Sequence, residues 1–381
     1  MKVLLLGVCA VLVAGSLITA LLDRPDPDGA AEVFWATDLS PAKRAQAELF
    51  AQWLRANGHP EARLLVDAAN ADFSKKLIQG VSGVMGDIVD CYDGKAEMQF
   101  LQEAGMLRDV TADAVQMGFD SGRTYPAIAP ELLIGGRQYG FPANVFSQLY
   151  WVNPGAFARA GQPLPPERWT LDEFEQRGRA YVQAANPPDG PRKFFFTDPI
   201  QATHRQIFRR SLGTSLFNET LTGSRLADPR NVALMERVHR WTYADRICPS
   251  LADASSFDAQ GGFWGSNAQL FHSGNYAMYL LGRYGLIPLR ELPPIPLGVV
   301  EPPNGGFPNT VVGARVSAVY QNARHPALAL LFLKFLASPA YNEQIVASAD
   351  ALPPVPAYAD SESFRNPPEH PHEWGAHQPF L

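Results

Sequence analysis

The sequence predicts an α/β protein of two lobes, each a sheet flanked by helices. Three observations carry that expectation. From Val33 to Val110 short strands alternate with amphipathic helices in the βαβαβ order of a parallel, doubly wound sheet. From Val145 to Asn153 an extended run of β-branched and aromatic residues shows no helical period, and reads as one long strand that crosses between the lobes and opens the second. A chain of 381 residues is also too long for one ordinary core and suits two lobes of about 150 residues each.

The elements follow in order. Lys2 precedes an uncharged apolar run from Val3 to Leu22, then the polar stretch Asp23 to Gly29. This is an export signal, and because its length reaches the ~20 residues that span a bilayer it reads either as a cleaved peptide or as an uncleaved anchor. Ala14-Gly15-Ser16 and Ile18-Thr19-Ala20 are the candidate cleavage sites. Cys9 lies too close to Lys2 for a lipoprotein signal. Residues 23–30 form a linker.

Val33 to Thr37 reads as the first strand. Pro41 to Asn57 is a helix with Ala45, Leu49, Trp53 and Leu54 on its apolar face, closed by Gly58. Strand Ala62 to Asp67, helix Asp72 to Gly80, strand Asp87 to Cys91 and helix Ala96 to Ala104 complete the first alternation. The turn Gln138 to Pro142 feeds the long strand, which stops at Asn153-Pro154-Gly155. A short helix from Ala156 ends at Gly161, and after a Pro-rich turn Thr170 and Glu173 form a capping box for the next helix. Further helices are expected at Leu171 to Ala184, His204 to Leu212, Pro229 to Tyr243 and Ala268 to His272, with strands at Lys193 to Thr197 and Ala277 to Leu281.

The order from Gly136 to Phe174 closely resembles the extracellular solute-binding proteins of bacterial ABC importers, the maltose-binding-protein-like family that takes up sugars. Two later blocks resemble the same family, Gln269 to Met278 followed by Leu281-Gly282-Arg283-Tyr284, and Asn322 to Pro339. The resemblance covers roughly residues 31 to 358. It implies a type II-like periplasmic binding fold whose chain returns to the first lobe, so that 31–143 plus 310–338 form one lobe and 144–309 plus 339–381 the other. It further implies a monomer that binds a mono- or oligosaccharide or related polyol, partnered by the permease subunits of an ABC importer in the inner membrane. An exported sugar sensor and a secreted carbohydrate-active enzyme are the alternatives.

Composition narrows the classes. The net charge is -6 and no Lys/Arg cluster exceeds two or three residues, so nucleic acid finds no electrostatic footprint. No GxxxxGK[ST], HExxH, GxSxG or GxGxxG is present, so no enzyme or cofactor is expected and the transport ATPase is another protein. Asp172 and Glu173 suit the positive end of a helix better than a glycosidase pair. Cys91 and Cys248 are expected as independent buried thiols. The tail Glu369 to Leu381, with His370, His372 and His377, reads as a solvated segment without a metal, and it departs from the further helices that the family shows there.

Ligands of doubly wound sheets sit beyond the carboxyl ends of the strands, and a pyranose needs aromatic faces together with fixed hydrogen-bonding groups. The candidates are therefore Trp35, Asp38, Asp67, Asn70, Asp90 and Tyr92 from the first lobe, Asn144, Phe146 and Ser147 from the crossing, and Trp169, Trp264, Arg283 and Tyr284 from the second lobe. Asn309 and Arg315 flank the return crossing. Tyr284 occupies the place of the stacking tryptophan in the family's G-x-W turn. Trp35 and Phe146 have core packing as an alternative role, Trp169 a helix staple, and Arg283 a surface salt bridge.

Overall fold

The computed structural model describes residues 31–381 apart from 93, 189–191, 198–201, 219, 221 and 258–266, and without the side chains of 202 and 203. Residues 1–30 and Trp264, and the readings placed on them, lie outside the described residues. In chain order the elements used below are β1 (Ala31–Ala36), α1 (Pro41–Ala56), β2 (Ala62–Val66), α2 (Phe73–Val81), β3 (Ile88–Cys91), α3 (Gly94–Glu103), β4 (Gly140–Val152), α4 (Leu171–Ala185), β5 (Phe194–Phe196), α5 (Ala202–Ser211), α6 (Pro229–His239), β6 (Tyr276–Leu281), β7 (Gly298–Val300), β8 (Val311–Val319), α7 (Pro326–Leu336) and α8 (Pro339–Ser348).

One hydrogen-bonded path joins the strands in the order β2-β1-β3-β8-β4-β6-β5, with β7 also on β4. The β1, β2 and β3 set is parallel, as the βαβαβ alternation requires. β8 then enters antiparallel to β3, and β4 antiparallel to β8. β4 serves both halves of the molecule. Its residues 140–148 pair with β8, and its residues 149–152 with β6. Apart from half-buried Phe146 every residue of β4 is buried, which is why the sequence there lacks a polar face. Gly140 is required by close approach, since a Cβ would collide with the Ser317 carbonyl on β8.

Two apolar cores flank this path. The larger gathers Trp35, Phe50, Ile88, Val316 and Phe332, while the smaller gathers Tyr150, Phe174, Phe195, Phe196, Phe208 and Trp241. Local rules place the helices around them. Asp72 caps α2 through the amides of Ser74 and Lys75, and both halves of the Thr170–Glu173 capping box form on α4. Cys91 and Cys248 are both buried, one in each core. Among the described residues no helix is long and apolar enough to cross a membrane.

Two expectations are corrected. The buried side of α1 is Ala42, Lys43, Gln46, Phe50 and Leu54, and of the predicted apolar face only Leu54 is fully covered, because two polar residues turn inward to partners supplied by the tail. The tail is packed, with Glu373 and His377 fully buried and the Phe380 ring 5.1 Å from Trp151. Its short helical turns at Pro356–Tyr358, Glu362–Arg365, Pro371–Glu373 and Gln378–Phe380 bring Phe364 and Phe380 into the larger core. Tyr341, Ile345, Leu352, Phe364 and Phe380 belong to the larger core, while Arg283 and Arg290 bond the tail from the 144–309 side, so residues 339–381 touch both halves of the chain.

Candidate functional site

The carboxyl ends of β1 and β3 meet on a buried carboxylate. Asp90 accepts hydrogen bonds from Trp35 Nε1 (2.8 Å), Thr37 Oγ1 (2.6 Å) and Ser317 Oγ (2.5 Å) and is inaccessible to solvent. Beside it Lys76 reaches in from α2, donating to the Asp90 carbonyl (2.5 Å) and to Glu97 Oε1 (2.9 Å). The half-buried Tyr92 ring lies between two cations, 4.6 Å from Lys76 Nζ and 4.8 Å from the Arg315 guanidinium carbon. Burial and then Asp90 push its hydroxyl well above the ordinary phenol range, so Tyr92 stays neutral and able to donate.

A second carboxylate organises the strand crossing. Asp350 accepts from Lys43 Nζ (2.8 Å), Gln46 Nε2 (2.9 Å) and Asn144 Nδ2 (3.0 Å), and thus links α1, β4 and the end of α8. It sits between Ala349 and Ala351, whose φ angles of 58° and 66° lie in the left-handed region. Such a conformation costs a non-glycine residue about 1–2 kcal/mol, a cost offset here by the three bonds that the turn delivers to one carboxylate. Burial alone would raise the Asp350 pKa, but Lys43 and Arg315 reverse this and hold the carboxyl at about 2.

Arg315 stands over this base. It leaves β8 at the irregularity between Arg315 and Val316, opposite Asn144. Its Nη1 lies 2.8 Å from Asp38 Oδ2 without the alignment of a hydrogen bond, and both side chains keep partial exposure at 17% and 19%. Burial works to lower the guanidinium pKa, yet Asp38, Asp350 and Asp90 raise it on balance. Around it the Phe146 ring covers Gly313, where a Cβ would come within 2.8 Å of the ring. The Tyr284 hydroxyl accepts from Gln148 Nε2 (2.9 Å) and lies within electrostatic reach of Arg315 and Asp350. Asp38, Tyr92, Phe146, Tyr284 and Arg315 are all half-buried. They offer two hydroxyls, a carboxylate, a guanidinium and aromatic faces, on a base whose buried carboxylates Asp90 and Asp350 are held by hydrogen bonds and by Lys43.

Other candidates are brought elsewhere. Arg283 is neither a cleft donor nor a surface ion pair. It is fully buried, donating to the carbonyls of Ile345 (3.3 Å), Val346 (2.9 Å) and Ala351 (3.0 Å) and to His377 Nδ1 (2.9 Å), with Phe364 stacked 4.5 Å away. It satisfies the orphan carbonyls at the end of α8. Trp169 is 4% exposed in the smaller core and donates to the Glu301 carbonyl, because the apolar side of α4 and the strand beside it need a large ring there. Asn309 is buried and bonds the Pro303 carbonyl (2.7 Å), which shapes its own loop. Trp35 takes its core role against Phe332. Ser147 bonds the Phe380 carbonyl (2.7 Å), and Asp67 and Asn70 bond each other at the end of β2. Asp350, Lys43, Gln46 and Lys76 were missed. The usable signal was two polar residues one turn apart, Lys43 and Gln46, on the same side of α1 as Phe50 and Leu54.

Residues 69–372 match the family of bacterial extracellular solute-binding proteins. No curated protein matches the chain. Among solved structures, the chain is similar to the ABC substrate-binding protein Lmo0181 from Listeria monocytogenes in complex with cycloalternan, at 19% identity and a TM-score of 0.75, over 92% of this chain and 87% of that one. It is also similar to UgpB from Mycobacterium tuberculosis in complex with glycerophosphocholine (17%, TM-score 0.71, 88% and 82%) and to the sugar-binding protein MalE from Xanthomonas citri (18%, TM-score 0.66, 88% and 82%). At these identities the likeness concerns the fold, that of two-lobed binding proteins.

Proposed function

This chain belongs to the bacterial extracellular solute-binding proteins, a family of binding proteins and not of enzymes, and on that footing we propose that it captures a neutral sugar or related polyol between two lobes and delivers it to an ABC permease. The lobes in this reading are 31–143 with 310–338, and 144–309, with the tail 339–381 packed across the crossing. The protein acts as an exported monomer.

The observation that carries the ligand class is the pairing of Arg315 with Asp38 beside Tyr92. A guanidinium already balanced by a carboxylate offers donors and acceptors in fixed positions without a net charge, which suits hydroxyl groups. A phosphate ligand would want a second free cation, and Arg283 is spent inside the tail. A polyamine would want unpaired carboxylates, and Asp38, Asp90 and Asp350 are each engaged. The half-buried rings of Tyr92, Phe146 and Tyr284 supply apolar faces for pyranose stacking. Because β4 and β8 each run between the cores, bending at these strands would close the cleft, and ligand would favour the closed state by its differential affinity.

The test is a melting-temperature screen of the purified protein against mono- and oligosaccharides, polyols, glycerol phosphodiesters and polyamines, with recovered compounds checked by chromatography. A saturable rise with a neutral carbohydrate recovered intact is the expected result. A rise with phosphodiesters or polyamines alone overturns the ligand class, and cleaved carbohydrate overturns the binding role.

A further inference from the structure

The packed tail brings together side chains that the cleft does not use. In the turn Pro371–Glu373 and the residue before it, His370, His372 and Glu373 hold ligand-capable atoms within 4.8 Å of one another. His370 Nδ1 is 4.0 Å and His372 Nε2 3.8 Å from the same oxygen, Glu373 Oε1. Around a tetrahedral ion with bonds of about 2.0–2.2 Å, neighbouring ligand atoms stand roughly 3.3–3.5 Å apart. The three atoms therefore need only a contraction of the order that side-chain torsions supply.

We propose that His370, His372 and Glu373 form a binding site for Zn²⁺ on the tail, separate from the inter-lobe cleft. The carboxylate is preorganised, since Glu373 is fully buried and held by Arg290 through Nε to Oε1 (2.8 Å) and Nη2 to Oε2 (2.7 Å). His377 supports it from the other side with Nε2 3.2 Å from Oε2. His377 Nδ1 accepts from Arg283, so its proton sits on Nε2. The two imidazoles are partly exposed, and their rings stand at 87° with centroids 5.9 Å apart, which leaves both nitrogen lone pairs free to turn toward the carboxylate.

The opposing effect is the positive charge of Arg290 beside Oε1. Glu373 itself pairs with that guanidinium, and Glu343 and Glu369 add carboxylates to the cavity of about 430 Å³ that opens beside His370. The cavity gives solvent access to the His370 side of the site. All three ligand residues lie within four consecutive positions, so the site forms without any movement of the lobes. Imidazole and carboxylate suit zinc and exclude a magnesium or calcium site, which would want oxygen ligands throughout.

The experiment is isothermal titration of ZnSO₄ into the intact, untagged protein after dialysis against chelator, with MgCl₂ as control, repeated for His370→Ala and His372→Ala. Their melting curves without metal should equal the parent's, because both rings are partly exposed. One equivalent of zinc with a dissociation constant in the micromolar range, weakened at least tenfold in each variant, is the expected result. Absence of zinc-specific heat overturns the proposal. Unchanged affinity in both variants also overturns it, and assigns the heat to other histidines of the chain.

Discussion

The Asp350 carboxylate accepts a hydrogen bond from Asn144 at 3.0 Å, and with it the end of α8 is tied to the strand that passes between the two cores. The same carboxylate carries the ion pair to Lys43, a side chain with no solvent exposure. Replacing Asp350 with Ala strands a buried ammonium and two buried amides. The expected cost is about 3–5 kcal/mol, read as a fall in the denaturant midpoint. The double variant Asp350→Ala, Lys43→Met should recover part of that loss, and a double variant no more stable than the single one would contradict a buried ion pair.

Acid should unfold the protein in a defined window. Asp350 and Glu373 are each held at about 2, against ordinary values of 3.8 and 4.5, with their arginine and lysine partners overcoming burial. Their folded pKa values lie below the unfolded ones, so the unfolded chain binds more protons in between, and their stabilisation is present above about pH 4.5 and lost as pH falls toward 2. His377 acts with the same sign, because burial depresses its pKa below the ordinary 6.5 and protonation favours the unfolded chain as pH falls. Equilibrium unfolding measured from pH 7 to 2 should show stability declining from about pH 6.5 and most steeply below 4.5. A profile flat down to pH 3 would be inconsistent with these linkages.

Arg315 and Arg283 should separate binding from folding. Arg315→Ala removes a partly exposed guanidinium from the cleft, and losing charge-assisted hydrogen bonds of about 1.5–3 kcal/mol weakens ligand binding roughly ten- to a hundredfold. Arg283→Ala leaves the carbonyls of Ile345, Val346 and Ala351 without their donor. It should lower stability by about 3 kcal/mol or more and open the tail to protease. Titration calorimetry with the carbohydrate found by melting screen and limited proteolysis together decide the assignment, and the reverse pattern would move the site to Arg283.

The thiols should be silent in the folded state. Cys91 and Cys248 are both fully buried, and burial, then Glu97, raises the Cys91 thiol above its usual range. A thiol reagent at pH 8 should react with neither until denaturant is added, at a rate set by unfolding. Rapid reaction of the native protein would show that one of the two regions opens locally.

What the sequence determined by itself is what its local periods encode. The βαβαβ alternation, the long strand through Val145 to Val152 and the capping box at Thr170 and Glu173 depend on residues within a few turns of one another, and each is found in the structure. Of the candidate residues, Asp38, Tyr92, Phe146, Tyr284 and Arg315 lie near one another, while Asp67 and Asn70, equally half-buried at the end of β2, bond each other. What only tertiary structure decided is the partner of each buried polar group. Whether Arg283 faces a ligand or the end of α8 depends on where residues 345–377 return, and Lys43 becomes a core residue only because Asp350, far along the chain, closes on it. Burying a charge is tolerated only when its counterion arrives in the same place. That coincidence belongs to the path of the whole chain, and no window of neighbouring residues contains it.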